Sequence, residues 1–139
     1  MKETQASPAQ RLRDCKLRPS PQRLAVFTYL CQHKTHPTAE MIYNDLVVTF
    51  PTLSLTTVYQ TLDALCDNGL AVKLTIDDGL MRFDAETTSH GHFKCSGCGK
   101  IFDFAYPEKT IFPKPRDGFT VEQVHLYEHG RCPKCKKKK

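Results

Sequence analysis

The chain has 139 residues, enough for one good core or two small ones, and its 40% hydrophobic and 25% charged residues are those of an ordinary globular protein. No apolar run approaches the roughly 18 residues that a membrane span needs. The opening MKETQASPAQRLRDCK has no apolar stretch of an export signal, so the expectation is a cytoplasmic protein without a membrane partner. The formal net charge of +5 is uneven: residues 1–34 carry seven Lys and Arg against Glu3 and Asp14, and the chain closes on KCKKKK. A basic N-terminal segment points weakly to nucleic acid; a solvated helix face and a floppy tail explain it equally well.

In chain order, residues 8–16 read as a short helix with few apolar anchors, broken by Leu17-Arg18-Pro19-Ser20-Pro21. Ser20 is a good N-cap and Pro21 fits a first helical turn, which predicts a second helix to about His33 with Leu24, Phe27, Leu30 and Cys31 inward. Thr38 caps a third helix, Ala39 to about Phe50, with Met41, Ile42, Leu46 and Val48 toward the core. Ser54 caps a fourth, Leu55 to Asn68, stopped by Gly69, with Leu55, Val58, Leu62, Leu65 and Cys66 on one face. Its other face, Thr56, Thr57, Gln60, Asp63 and Ala64, is small and polar, which suits a groove better than solvent.

Two strands follow, 71–76 and 80–84, joined by Asp77-Asp78-Gly79, a strong hairpin signal. Helices followed by a hairpin are the order of a winged helix-turn-helix. The reading is an α+β protein: a winged-helix domain over 1–84, a hinge over 85–91, and a small, mostly β domain over 92–139. Within the last, 92–94, 100–104 and 119–127 read as strands, the third on the alternation of Phe119, Val121, His125 and Tyr127. The interval 107–118 is proline-punctuated and reads as a loop.

Seven cysteines is an odd number, and four form the pairs Cys95-x-x-Cys98 and Cys132-x-x-Cys135. Two such turns complete a tetrahedral thiolate site, so structural Zn(II) is expected; redox-active pairs would stand at a helix start near a βαβ unit, and none is visible. Cys15, Cys31 and Cys66 read as buried structural thiols. A second set of donors, His36, Asp84, His90, His92 and Asp103, is of the harder kind that suits Fe(II), Mn(II) or Zn(II). His90-x-His92 on an extended segment aims both imidazoles to one side. Taken singly, each of these five is more often a surface residue.

Arg18…Ser20-Pro21-Gln22-Arg23, His36-Pro37-Thr38-Ala39-Glu40, Ser54 to Leu62, Arg82-Phe83-Asp84, His90-Gly91-His92 and the two CxxC pairs together resemble the ferric uptake regulator superfamily, from about residue 10 to residue 135. The resemblance implies a homodimeric, metal-dependent transcriptional repressor whose second domain dimerises and holds the zinc. It implies that His36, Asp84, His90, His92 and Asp103 ligate a regulatory Fe(II) or Mn(II). Iron-sensing members tend to carry Glu at the Asp103 position and Asp at the Gly91 position, and an accessory histidine that would fall on Val124. The departures here favour the peroxide-sensing branch, in which His36 or His90 is oxidised in place. The family usually places a helix between the Asp103 strand and the last strand, and residues 107–118 do not read as one.

On this reading Thr56, Thr57, Tyr59 and Gln60 face the bases of a palindromic, AT-rich double-stranded operator. The resemblance sets Tyr59 against thymine methyls, although its place at the edge of the apolar stripe also allows a core tyrosine. Arg18 is expected in the minor groove, and Arg23 and Lys73 on phosphates. The rival readings are an iron-responsive repressor and a zinc-ribbon DNA-binding protein without sensing. A zinc hydrolase or deaminase is disfavoured, since a four-cysteine site is closed and no H-x-E signature is present, so no enzyme is expected.

Overall fold

Four hydroxyl side chains start the helices of the first half. In the computed structural model, which describes residues 6–77, 79–87, 90–106, 116–121 and 124–137, each accepts from the backbone N–H three residues on. The pairs are Ser7 with Gln10 at 3.2 Å, Ser20 with Arg23 at 3.3 Å, Thr38 with Met41 at 3.2 Å and Ser54 with Thr57 at 3.0 Å. Each cap satisfies a donor that the helix cannot, which stabilises by about 1 kcal/mol. The helices are α1 (Pro8–Asp14), α2 (Pro21–Gln32), α3 (Ala39–Leu46) and α4 (Leu55–Asp67). The end of α4 is a Schellman motif: Gly69 turns to φ 71, its N–H reaching Cys66 at 3.1 Å while the Leu70 N–H reaches Leu65 at 2.8 Å. The same pattern ends α1, with Lys16 in the left-handed position where glycine is usual.

Helix α3 stops four residues before the predicted Phe50. Val47, Val48 and Thr49 are three β-branched residues in a row, which lose side-chain freedom in a helix, and Pro51 disfavours helix before it. Two of the expected core positions are corrected with it: Met41 is exposed and Val48 is 81% exposed. The core forms instead around Leu12, Val26, Phe27, Leu30, Ile42, Val58, Leu62, Leu65 and Phe83. The first helix supplies a fully buried anchor, Leu12. Buried Tyr29 donates to Asp45 on α3, and burial followed by that carboxylate pushes the Tyr29 hydroxyl up to about 12.

The strands β1 (Val72–Asp77) and β2 (Leu80–Asp84) pair antiparallel, with one extra residue in β1 between Leu74 and Asp77. Helix-turn-helix α3–α4 and this hairpin make a winged helix, in a unit spanning 1–87.

The second unit, 88–139, holds a three-stranded sheet in the order β4-β3-β5, from β3 (Gly91–Cys95), β4 (Ile101–Phe104) and β5 (Tyr127–Gly130), followed by the short α5 (Pro133–Lys136). β4 runs antiparallel to β3 and β5 parallel to it. Gly91 lies opposite Phe104, and a Cβ there would come within 2.3 Å of the Phe104 ring. The predicted strand over 119–127 is corrected: only Tyr127 belongs to β5, which continues to Gly130. Among the described residues, Phe119, Val121 and His125 pair with no strand, and Phe119 and Val121 are exposed. Alternation reports two faces, but a strand needs a neighbour to accept its backbone hydrogen bonds. The missing-helix interval lies largely at 107–115, outside the described residues. No helix among the described residues is long and apolar enough to cross a membrane.

The two units are stabilised differently. The hydrophobic core cluster lies wholly in the first. Among the described residues of the second, only Gly91, His92, Cys95 and Cys132 are buried. Two of these four are cysteines, and a domain of this size usually draws stability from a source beyond its core, such as a bound metal.

Candidate metal centres and nucleic-acid interface

That source is the cysteine cluster. The β3 strand ends at Cys95, and a turn closed by Gly99 at φ 76, its N–H 2.9 Å from the Cys95 carbonyl, brings Cys98 back beside it. Cys132 caps α5 and Cys135 lies inside it. The ligand atoms of all four lie within 4.8 Å of one another, and the Cys98 and Cys132 sulfurs are 3.9 Å apart. Sulfurs about 2.3 Å from one ion at the tetrahedral angle would be about 3.8 Å apart. The donor set is therefore soft, closed and of the right size for zinc. The Cys95 sulfur accepts backbone N–H groups from Cys132 at 3.3 Å and Cys98 at 3.5 Å, which pull it well below the usual thiol range. The Cys135 thiol, beside the Cys95 and Cys132 sulfurs, is pushed the other way.

Gly97 makes room for this approach: a Cβ there would sit 2.8 Å from both Cβ and Sγ of Cys135. Gly97→Ala should therefore weaken zinc binding about ten- to hundredfold, the usual effect of disturbing the surroundings of a metal ligand. Competition with a chelator measures it, and an unchanged zinc affinity would count against the packing argument.

The harder donors occur in both units. In the first, His36 Nε2 is 3.5 Å from Asp84 Oδ2, and both residues are buried. The Asp84 Oδ1 atom accepts the Glu86 N–H at 2.9 Å, which orients the carboxylate. Two donors about 2.1 Å from one ion at the tetrahedral angle stand about 3.4 Å apart, so the pair fits as adjacent ligands of a first-row metal. In the second unit Asp103, opposite His92 across β3 and β4, places Oδ1 2.8 Å from His92 Nδ1 and 3.9 Å from His90 Nε2. The two imidazoles lie edge to face, 4.5 Å between centroids, on the same side as their spacing predicts. His125, next to the absent accessory position, lies 3.3 Å from the Tyr127 hydroxyl.

Thr56, Tyr59 and Gln60 are exposed on α4, and Thr57 is half-buried. The Thr57 hydroxyl lies 2.9 Å from Ser54 in the cap. Tyr59 is 38% exposed and donates its hydroxyl to Glu40 on α3, so it is not a core tyrosine. Arg18 is exposed, and Arg23 donates to its carbonyl at 2.9 Å, so the two basic residues are held together. Lys73 on the hairpin pairs with Asp63 on α4 at 3.0 Å. The role of Glu40 was not legible in the sequence, since nothing in its spacing links it to a tyrosine nineteen positions on. Cys15, Cys31 and Cys66 are half-buried rather than buried, and burial raises the Cys31 thiol and pushes Cys66 up to about 11, so neither is primed as a nucleophile.

A winged helix joined to a small sheet with a closed four-sulfur cluster, and hard donors in each unit, defines a winged-helix metalloprotein. The chain belongs to the ferric uptake regulator family, whose model matches residues 14–129. It is 40% identical over 130 residues to the peroxide operon regulator of Bacillus subtilis, covering 91% of this chain and 90% of that protein. The solved structure of PerR from Streptococcus pyogenes, described as a basis for peroxide sensing and gene regulation, is 33% identical, with a TM-score of 0.52 and coverage of 91% and 88%. The Helicobacter pylori regulator Fur, reported with three functional metal-binding sites, shares the fold at a TM-score of 0.73 and 22% identity, over 98% of this chain and 97% of that one. The protein is thus a metal-dependent repressor of transcription and not an enzyme.

Proposed function

We propose that the protein is a peroxide-responsive repressor that binds a palindromic, AT-rich operator as a homodimer in the cytoplasm. Cys95, Cys98, Cys132 and Cys135 hold structural Zn(II). His36 and Asp84 of the first unit and His90, His92 and Asp103 of the second are ligands of one exchangeable Fe(II) or Mn(II), on the two sides of a hinge over 85–91. The observation that carries the peroxide reading is Asp103: its short carboxylate reaches His92 at 2.8 Å and lies 3.9 Å from His90, with Gly91 between the histidines under Phe104. The 40% identity to a peroxide operon regulator supports the same branch.

The protein's own part in sensing is to hold imidazoles as ligands where an oxidant formed at the site meets them first. Bound Fe(II) would supply the reduction of hydrogen peroxide, and one oxygen atom would be added to His36 or His90. An oxidised imidazole is a poorer donor, so the ligand set loses affinity for its ion and the operator-binding state loses its stabilisation. Mn(II) fills the site without that chemistry. The test is operator binding by Fe(II)- and Mn(II)-loaded protein before and after low-micromolar peroxide, with mass spectrometry of the His36 and His90 peptides. The expected result is a one-oxygen gain on a histidine and loss of binding with Fe(II) alone. No peroxide effect would favour an iron-responsive repressor instead.

The exposed face of α4 reads the bases, with Arg18 in the minor groove and Arg23 and Lys73 on phosphates. Tyr59→Ala should lower operator affinity by about 1–3 kcal/mol while leaving binding to unrelated DNA nearly unchanged. Titration of both duplexes at one salt concentration measures this, and an equal loss on both would remove Tyr59 from base reading.

A further inference from the structure

His36 adopts φ 56, a left-handed conformation that costs a residue with a side chain about 1–2 kcal/mol, so its surroundings must hold it there. Arg82, on β2, grips the backbone at that turn. Its Nη1 donates to the His36 carbonyl at 2.9 Å, and its Nε is bonded to the Asp77 carboxylate on β1. Around that grip, Arg82 forms a β-bridge with Thr38, and the Phe83 N–H donates to the Pro37 carbonyl at 3.0 Å. The two charged side chains are largely shielded, 17% and 7% exposed, so these charge-assisted bonds are little weakened by water. The extra residue in β1 puts Asp77 rather than Ile76 opposite Leu80, on the face that Arg82 and Asp84 share by alternation. The guanidinium therefore binds the His36 backbone two residues before the strand delivers Asp84, whose Oδ2 stands 3.5 Å from His36 Nε2.

We propose that Arg82, anchored by Asp77, is the positioning residue of the His36–Asp84 pair and ties that pair to the wing hairpin. The proposal rests on the reading of His36 and Asp84 as ligands. It predicts that removing the fork weakens metal binding through geometry, with no ligand lost. The wing and the metal pair would then behave as one mechanical piece within the first unit, because one short strand carries both.

The experiment uses the full-length, zinc-loaded protein, with Mn(II) as probe. Arg82→Gln should weaken Mn(II) binding about ten- to hundredfold by calorimetry, with zinc content retained. In the Mn(II)-free protein, exchange of the Phe83 amide should accelerate more than exchange of core amides on α4. Arg82→Lys, which keeps the charge and loses the fork, should behave like Arg82→Gln. Asp77→Asn, which leaves the bond to His36 in place, should fall between it and the parent, and decides the matter if Arg82→Gln does not fold. Mn(II) affinity within twofold of the parent in folded Arg82→Gln, or in Asp77→Asn if that is the folded variant, overturns the proposal, as does a lowered melting temperature with unchanged affinity. His36→Ala serves as the reference: if it too leaves Mn(II) affinity intact, the ligand assignment itself fails.

Discussion

Cys132→Ser is expected to empty the four-sulfur cluster, unfold residues 88–139 and abolish dimerisation and operator binding together. The reason lies in what the second unit has to stand on. Among its described residues only Gly91, His92, Cys95 and Cys132 are buried, and two of those are members of the cluster. The cluster also joins segments far apart in sequence, since Cys95 ends β3 and Cys132 follows β5. Structural zinc in small domains is worth on the order of 10–16 kcal/mol at neutral pH, far more than a sheet of three short strands could supply. Zinc content by mass spectrometry should fall from about one ion per chain toward none, and sedimentation should give a monomer. The first unit, which has its own core, should keep its helical signal. A dimeric Cys132→Ser protein with normal operator affinity would show that the cluster is not the stabilising element. Treatment with a strong chelator should reproduce the same loss in the parent.

The second large effect is expected from His36→Ala. Metal-stimulated operator binding should be lost, with Mn(II) no longer raising affinity, while zinc content and fold persist. His36 is 2% exposed and stands 3.5 Å from the Asp84 carboxylate, so its removal takes a buried side chain from beside that carboxylate and leaves a cavity. A modest loss of stability should accompany the functional loss, readable as a lower melting temperature of the helical signal. Since coupling between metal and operator is reciprocal, operator DNA should likewise stop raising Mn(II) affinity in this variant. Unchanged Mn(II)-dependent binding would favour the rival of a zinc-ribbon DNA-binding protein without sensing.

The parts that could be read without coordinates are those built from neighbours in the chain. Ser20, Thr38 and Ser54 cap their helices because a hydroxyl reaches an N–H three residues on, whatever the rest of the protein does. The two CxxC turns meet because each presents a pair of sulfurs by local geometry and one ion needs four. Even the early end of α3 was written in Val47-Val48-Thr49 before Pro51, although the periodicity of Met41, Ile42 and Leu46 suggested a longer helix.

Other features required the tertiary structure. The alternation of Phe119, Val121 and His125 describes a ribbon with two faces, but whether it becomes a strand depends on a neighbour with free backbone groups. Among the described residues the chain joins β3 from Leu126, whose carbonyl accepts the His92 N–H at 3.0 Å, with Tyr127 in register opposite His92. Tyr59 stood at the edge of an apolar stripe, and its exposure was decided by Glu40 on another helix, whose carboxylate takes its hydroxyl. Arg82 is legible in the sequence only as the first residue of Arg82-Phe83-Asp84, and only the crossing of β2 past the His36 turn gives it a carbonyl to hold. The amino-acid sequence thus determined the elements, the caps and the kinds of metal donor, since these depend on residue type and short spacing. Tertiary structure decided which strand pairs with which and which side chain orients another, because such contacts arise between segments whose separation no local rule specifies.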